Sequence, residues 1–383
     1  MKTAAVLLIC LCLVACASAP PMPPAEGLFH DELFEAPSAP IRPDDAMAIS
    51  AQMRQYIAAK IKSKAGFVDR KQQLIDALYS KDDLMLEYDA AITRTAAQAF
   101  EARSGNCLAL VMMTAAFAKE LGLSVRYQSV LGDDSWDRAG DIYVSVGHVN
   151  LTLSDRPPQA GLGMMDTGQL TVDFVPPRTA SALRARVIEE HTVVAMYLNN
   201  RAVESLTRGE VRDAYWWARE AIRKDPQLTS AYITLAVVYR NQRHPEFAEE
   251  ALERVAAHEP GNTKVMSNRV LVLRDLGRQT EADALQKQLA QLDPHPPFSY
   301  FHEGMAALRE RRFEAARKLF TKEVDRAPYH HEFQFWLAIT YLELHDAARA
   351  TAHLTKAMEV STTRKDHDLY AAKLGRLKAL GPQ

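Results

Sequence analysis

AYITLAVVYRNQRHPEFAEEALERVAAHEP, residues 231–260, decides how the second half of this chain folds. Tyr232, Leu235, Ala236 and Tyr239 recur at helical spacing, Ala248 follows in a second helix, and Pro260 stops it. The stretch is one of a series. Pro226, Pro260, Pro294 and Pro328 stand 34 residues apart, and Ala214, Ala248, Ala282, Ala316 and Ala350 keep the same step. Two residue types with different physical jobs hold one period. Small alanines let paired helices approach closely, and a proline after the second helix ends it before the next pair begins. About five units fit between residues 195 and 364, the fifth with Thr362 where a proline would stand, and residues 365–383 are left for a capping helix or tail.

This spacing resembles the tetratricopeptide repeat, a 34-residue helix–turn–helix unit. The resemblance implies an all-α superhelix whose concave surface suits an extended segment, and hence a protein or peptide partner.

Residues 1–20, MKTAAVLLICLCLVACASAP, read as a targeting segment. Lys2 precedes an apolar run from Ala4 to Val14, the length of a signal peptide and well short of a membrane span. Leu13-Val14-Ala15-Cys16 resembles the bacterial lipobox, which implies a signal peptide over 1–15, lipidation of Cys16 and a membrane anchor. Ala17-Ser18-Ala19 is the competing site, for an ordinary signal peptidase. By resemblance to such lipoproteins, Ala17 after the cysteine points to the outer membrane of a Gram-negative envelope, facing the periplasm. Residues 16–44, rich in proline and alanine and without helical or strand period, are expected to form a semi-extended tether reaching about 80 Å.

The chain has 383 residues, 48% of them hydrophobic, and a formal charge of −2. It can bury two cores, and it shows no basic run with interleaved aromatics that would suit a nucleic acid. Helical spacing resumes at Met53, Ile57 and Ile61 and at Leu74, Ile75 and Leu78, and Asp89 is a candidate cap for a third helix ending near Phe100. LSVRYQSVL, DIYVSVGHVNLTL and QLTVDFV then alternate like strands. Helices followed by strands predict an α+β domain over residues 45–180.

Of four cysteines, Cys10 and Cys12 leave with the targeting segment and Cys16 takes the lipid, so Cys107 is the lone thiol of the mature chain. It opens the apolar run LALVMMTAAFAKELGL, and a thiolate at a helix N-terminus is favoured by unpaired N–H groups. A small buried side chain is the equally weighted alternative. Among twelve histidines only His30 and His148 precede residue 190 in the mature chain. His30 falls in the tether. His148 lies in a strand and, beside a solitary thiol, becomes a base candidate. Asp173 sits amid apolar strand residues, where partial burial calls for a partner. Asn150 and Asp166 are fallback candidates for the same orienting role.

RSGNCLALVMMTAAFAKELGLSVRYQSV, residues 103–130, resembles the nucleophile segment of the transglutaminase-like superfamily, with GHVNLTL and TVDFVPP resembling its second and third motifs in order. The resemblance implies a papain-like α+β fold and a triad of Cys107 as nucleophile, His148 as general base and acid, and Asp173 as orienter. It implies acyl chemistry on peptide or amide bonds, hydrolysis favoured over crosslinking, with no cofactor; a related branch lacks the cysteine and is inactive. Two departures stand out. Val149 and Asn150 occupy positions where the family often has an aromatic residue, and SDRPPQAGLGMMDTG, residues 154–168, is an insert between the second and third motifs. Its GLGMMD only partly imitates a phosphate loop. Asp133, Asp134 and Trp136 read as an interstrand loop, His330-His331 as an inter-repeat surface without metal-ligand spacing, and Trp216, Trp217 and Trp336 as packing residues.

Overall fold

The computed structural model describes residues 22–61, 69–79, 84, 86–89, 92–139, 142–155, 168–174, 184–296, 298–328, 330–361 and 364–379. Its first half opens with α1 (Ala51–Tyr56), capped by the Ser50 hydroxyl and continued by a π-helical turn over Ile57–Ile61. Met53, Ile57 and Ile61, four apart, are all buried. Next come α2 (Arg70–Tyr79), a two-residue strand β1 (Glu87–Tyr88), α3 (Ala96–Ala102), a short strand β2 (Ser104–Gly105) and α4 (Cys107–Glu120). Asp89 does not cap α3. Thr95 does, through a capping box with Gln98, while Asp89 pairs with Arg94 at 2.8 Å. Arg103, in the left-handed region at φ 52°, ends α3 and turns the chain towards α4.

Every residue of α4 from Cys107 to Ala118 is buried. A helix apolar all round must lie inside a core, and one face of a sheet covers it. That sheet runs β5 (Leu170–Val172), β4 (Ile142–Ser154), β3 (Ser124–Ala139), β6 (Arg184–Ile188), antiparallel throughout. One row crosses all four strands: Val172 pairs Leu151, Leu151 pairs Tyr127, and Tyr127 pairs Ile188. All four side chains are buried. The other face is polar, with Thr152 and Thr171 hydroxyls 3.0 Å apart and Asn150 opposite Gln128. The sheet therefore has four strands rather than three, and β6 carries it beyond residue 180. Asp133, Asp134 and Trp136 lie within β3 rather than in a loop, the two aspartates at a register shift between Val130 and Ser135 and Trp136 past it, opposite Ser145.

The second half is five antiparallel helix pairs: α5 (Glu190–Thr207) with α6 (Val211–Lys224), α7 (Thr229–Asn241) with α8 (Pro245–His258), α9 (Thr263–Asp275) with α10 (Gln279–Leu292), α11 (Ser299–Arg309) with α12 (Phe313–Arg326), and α13 (His331–Glu343) with α14 (Ala347–Glu359). Helix α15 (Arg364–Ala379) packs on the last pair through Tyr370 and Leu374. Each alanine of the 34-residue series is completely buried, and each proline stands two residues beyond the end of α6, α8, α10 or α12. The turn inside every pair repeats as well. Gly209, Arg243, Gly277, Arg311 and His345 all have positive φ, and the next residue's N–H reaches a carbonyl five residues back, as His244 does to Tyr239 at 2.9 Å. This left-handed helix ending satisfies the last carbonyls of the first helix and reverses the chain.

Residues 22–47 are not a free tether. Three 3₁₀ turns, over Glu26–Leu28, Asp31–Leu33 and Pro43–Met47, hold Met22, Ala25, Leu28, Phe34 and Ala46 in buried positions. The apolar residues at 22, 25 and 28 recur every three positions, although only Leu28 lies within a 3₁₀ turn. That spacing matches neither a helical period of 3.6 nor a strand period of 2, so the stretch reads as unstructured in isolation.

Candidate functional site

Cys107 is the first residue of α4 and is buried, 4% exposed. Asn106 caps the helix. Its side-chain oxygen accepts from Ala109 N–H at 3.0 Å and its main-chain oxygen from Leu110 N–H at 3.0 Å. Leu110 thus makes the first ordinary intrahelical bond, and of the N–H groups that a helix start leaves without one the cap takes that of Ala109 and does not use those of Cys107 and Leu108. Gly105 precedes the cap because nothing larger fits: a Cβ there would lie 2.9 Å from the Ala109 methyl.

The cap is itself held from outside the domain. Asn106 Nδ2 donates to Thr93 Oγ1 at 2.8 Å, and Asn200 of α5 donates to the same hydroxyl at 3.3 Å. Thr93 N–H donates to Glu204 of α5 at 2.7 Å, and Arg201 pairs with Glu204 at 3.0 Å. Burial pushes the Glu204 carboxyl above the ordinary carboxylate range, against the Thr93 hydrogen bond and Arg201, which pull it down. The start of α4 and the first repeat thus share one buried polar network. Thr93, Asn200 and Glu204 break no sequence pattern that would mark them, whereas Asn106, a capping residue directly before an apolar run, carries a legible signal.

The other half of the proposed triad stands on the sheet. His148 pairs with Val130 in the β3–β4 register, two residues before Asn150 on the same strand; its side chain lies outside the described residues. Asp173 falls just after β5 rather than within it and is exposed. The structure brings it to Asn150, whose Nδ2 donates to Asp173 Oδ2 at 3.3 Å. Asn150 is 9% exposed and its buried side-chain oxygen has no hydrogen-bond partner among the described residues. Two candidates for one orienting role are therefore in contact with each other. Asp166 and GLGMMD lie outside the described residues, as does Cys16.

Around α5 the junction is tied twice more. Glu190 takes a hydrogen bond from Tyr127 of β3 at 2.8 Å and an ion pair from Lys119 of α4. Burial alone would raise the Glu190 carboxyl, but Lys119 and Tyr127 hold it below the ordinary value. Buried Asp225 accepts from Thr192 Oγ1 at 2.7 Å. Elsewhere, His331 shares a 2.7 Å hydrogen bond with Tyr370 of α15, placing it at a repeat–cap contact. Among the described residues no three His, Cys, Asp or Glu side chains converge as for a metal ion, and no helix is long and apolar enough to cross a membrane.

Residues 301–358, spanning α11 to α14, match the family model of the tetratricopeptide repeat. Together with the helix-pair geometry this shows that the chain carries tetratricopeptide repeats. Among curated proteins, PilF of Pseudomonas aeruginosa, a type IV pilus assembly protein, is 27% identical over 121 residues, 31% of this chain and 48% of PilF. The chain thus spans about half the length of the curated relative it matches. Among solved structures, PilF aligns over 51% of this chain and 95% of its own, at 21% identity and a TM-score of 0.28. YrrB, described as a repeat protein with an unusual peptide-binding site, aligns over 47% and 92%, at 20% identity and 0.25. TTC0263 of Thermus thermophilus aligns over 47% and 98%, at 18% identity and 0.30.

Proposed function

We propose that this protein is an envelope adaptor: a lipid anchor at Cys16, an α+β domain of transglutaminase-like type, and a repeat array that binds a protein or peptide partner. The observation that carries the adaptor reading is the run of five helix pairs, each closed by the same left-handed turn and the same buried alanine. Stacked pairs of this kind expose a continuous helical surface for an extended segment. PilF is named for pilus assembly, and a comparable role in assembling an envelope structure suits an anchored repeat array. In-cell photocrosslinking tests it. A photoreactive residue placed in turn along the half-buried and exposed positions of α9 and α13 should give a discrete protein adduct from a contiguous set of positions; a ladder without discrete adducts, or none, would sink the adaptor.

A second reading rests on the place of Cys107 at the first position of α4, with His148 in β4 of the covering sheet and Asp173 just past the end of β5. There the thiolate attacks an amide carbonyl, His148 delivers the proton to the leaving amine, and the resulting thioester is resolved by water more readily than by a second amine. The chemistry needs no cofactor. Labelling by iodoacetamide at neutral pH separates an active thiol from an inert one. Fast modification of Cys107 that slows strongly on His148→Ala supports the triad, whereas slow labelling indifferent to His148→Ala leaves the α+β domain a folded platform.

A further inference from the structure

The stretch between Leu28 and Ser38 is held on α6, α7 and α8 in the way a peptide is held by a receptor. It forms neither a strand on a sheet nor a helix in a bundle; side chains of the repeats grip its irregular backbone. The Tyr239 hydroxyl donates to the Leu28 carbonyl at 2.6 Å and accepts from the His30 N–H at 3.2 Å. One buried hydroxyl therefore fixes the register of the bound stretch. The Trp216 indole N–H reads a third backbone group, the Glu35 carbonyl, at 2.7 Å. Trp216 is a recognition residue, not only a packing one.

Side-chain selection is as specific. Asp31 receives the Tyr215 hydroxyl at 2.6 Å and Arg219 Nη2 at 3.0 Å, and Arg219 lies over the Trp216 ring, 5.2 Å from its centroid. Phe34 stacks on Tyr215 at 3.9 Å with ring planes 5° apart, and His30 stacks on Phe247 at 3.7 Å. Tyr215 and Tyr239 are completely buried with the segment in place, so its docking leaves neither ring in contact with water.

We infer that the α6–α8 face is a peptide-recognition site, occupied here by the chain's own residues 28–38, and that the partner it takes is an extended segment with an aspartate set between aromatic side chains. This rests on the reading that the repeats bind a protein or peptide. The resident segment competes as a tethered ligand. An effective concentration in the millimolar range would weaken a free peptide of micromolar affinity by roughly tenfold to several hundredfold in apparent binding.

The test uses the full chain and a fluorescein-labelled synthetic peptide of residues 26–40, read by anisotropy. Asp31→Arg with Phe34→Ala in the protein empties the site. The natural peptide should then bind at least tenfold more tightly than it binds the wild type, and a peptide carrying Asp31→Arg should not bind. Adding Arg219→Glu to the emptied protein should abolish binding of the natural peptide. Equal binding to wild type and emptied chain, no binding to an emptied chain with native helical circular dichroism, or retention after Arg219→Glu would each overturn the inference. Loss of the helical signal on emptying would overturn it as well, since a receptor survives without its ligand. None of these failures touches the photocrosslinking pattern on α9 and α13, so the adaptor reading is judged separately.

Discussion

Asn106→Ala isolates the link between the repeats and the start of α4. The wild-type amide makes two bonds at a position 7% exposed, one to Ala109 N–H at 3.0 Å and one to Thr93 Oγ1 at 2.8 Å. Losing the cap costs about 1 kcal/mol, and stranding the buried Ala109 N–H with the loss of the Thr93 bond adds roughly 1–2 kcal/mol. Thr93 keeps Asn200, which limits the damage. Asn106→Ser preserves a capping oxygen but cannot reach Thr93, so it should cost only about 1 kcal/mol. Hydrogen exchange of α4, followed by mass spectrometry, reads the difference directly. Amides of the first two turns should exchange roughly thirtyfold to a hundredfold faster in the alanine variant and about fivefold faster in the serine variant. Equal acceleration by both would show that the Thr93 bond contributes nothing. No acceleration by alanine would refute the capping role altogether.

A Cβ on Gly304 would lie 2.8 Å from the fully buried Phe320 ring, so Gly304→Ala should destabilise the α11–α12 pair by about 1–3 kcal/mol. Gly375→Ala in α15 meets nothing within 4 Å and should stabilise by about 0.5–1 kcal/mol, both read by urea denaturation. Arg243 is exposed and held at φ 63°, so Arg243→Gly should raise stability by roughly 0.5 kcal/mol while Arg243→Ala should not. Burial would raise the Asp213 carboxyl, but the Ser38 N–H and hydroxyl at 2.8 and 2.5 Å, with Arg212, hold it below the ordinary carboxylate value. A lowered folded-state value means that its contribution is present above the unfolded value of about 3.9 and is lost as pH falls through the folded one. Asp213→Asn should therefore cost about 1–2 kcal/mol at pH 7, with the gap to wild type closing in acid; a gap constant with pH would refute it.

The repeats were legible because two of their requirements are written in single residue types: an alanine where helices touch and a proline where they must stop. The third requirement, a left-handed residue inside each pair, was not, since only Gly209 and Gly277 advertise it while Arg243, Arg311 and His345 adopt the same conformation at a cost. The start of α4 could be read from Gly105-Asn106 before an apolar run. The network behind it could not, because Asn200 and Glu204 lie about a hundred residues away and neither breaks the pattern of an ordinary amphipathic helix. β6 escaped for a local reason: Arg184 and Arg186 give it no apolar alternation. The docked stretch at 22–47 escaped because its buried apolar residues stand multiples of three apart, a spacing of neither α-helix nor strand, and its polar ones answer side chains in α6 to α8.

That docking changes the mechanics of anchoring. With an undocked tether, the chain from the proposed lipid at Cys16 to Asp44 would let the repeats stand on the order of 80 Å from the bilayer, free to tumble. Docked, the first described residue is already held: the Met22 N–H donates to Gln227 at 3.2 Å, with Arg254 bonded to the Pro23 and Pro24 carbonyls behind it. The six residue steps from Cys16 to Met22 span at most about 20 Å. The α8 end of the array would then be confined near the membrane and turned towards it. Energy transfer from a donor at Glu253→Cys to acceptor lipids in vesicles carrying the lipidated chain should accordingly be strong, and should fall when Asp31→Arg with Phe34→Ala releases the segment. Transfer unchanged by the release would mean that the bonds at Met22, Pro23 and Pro24 hold that end without the Asp31 and Phe34 contacts. Weak transfer in the undisturbed chain would place the anchor somewhere other than Cys16.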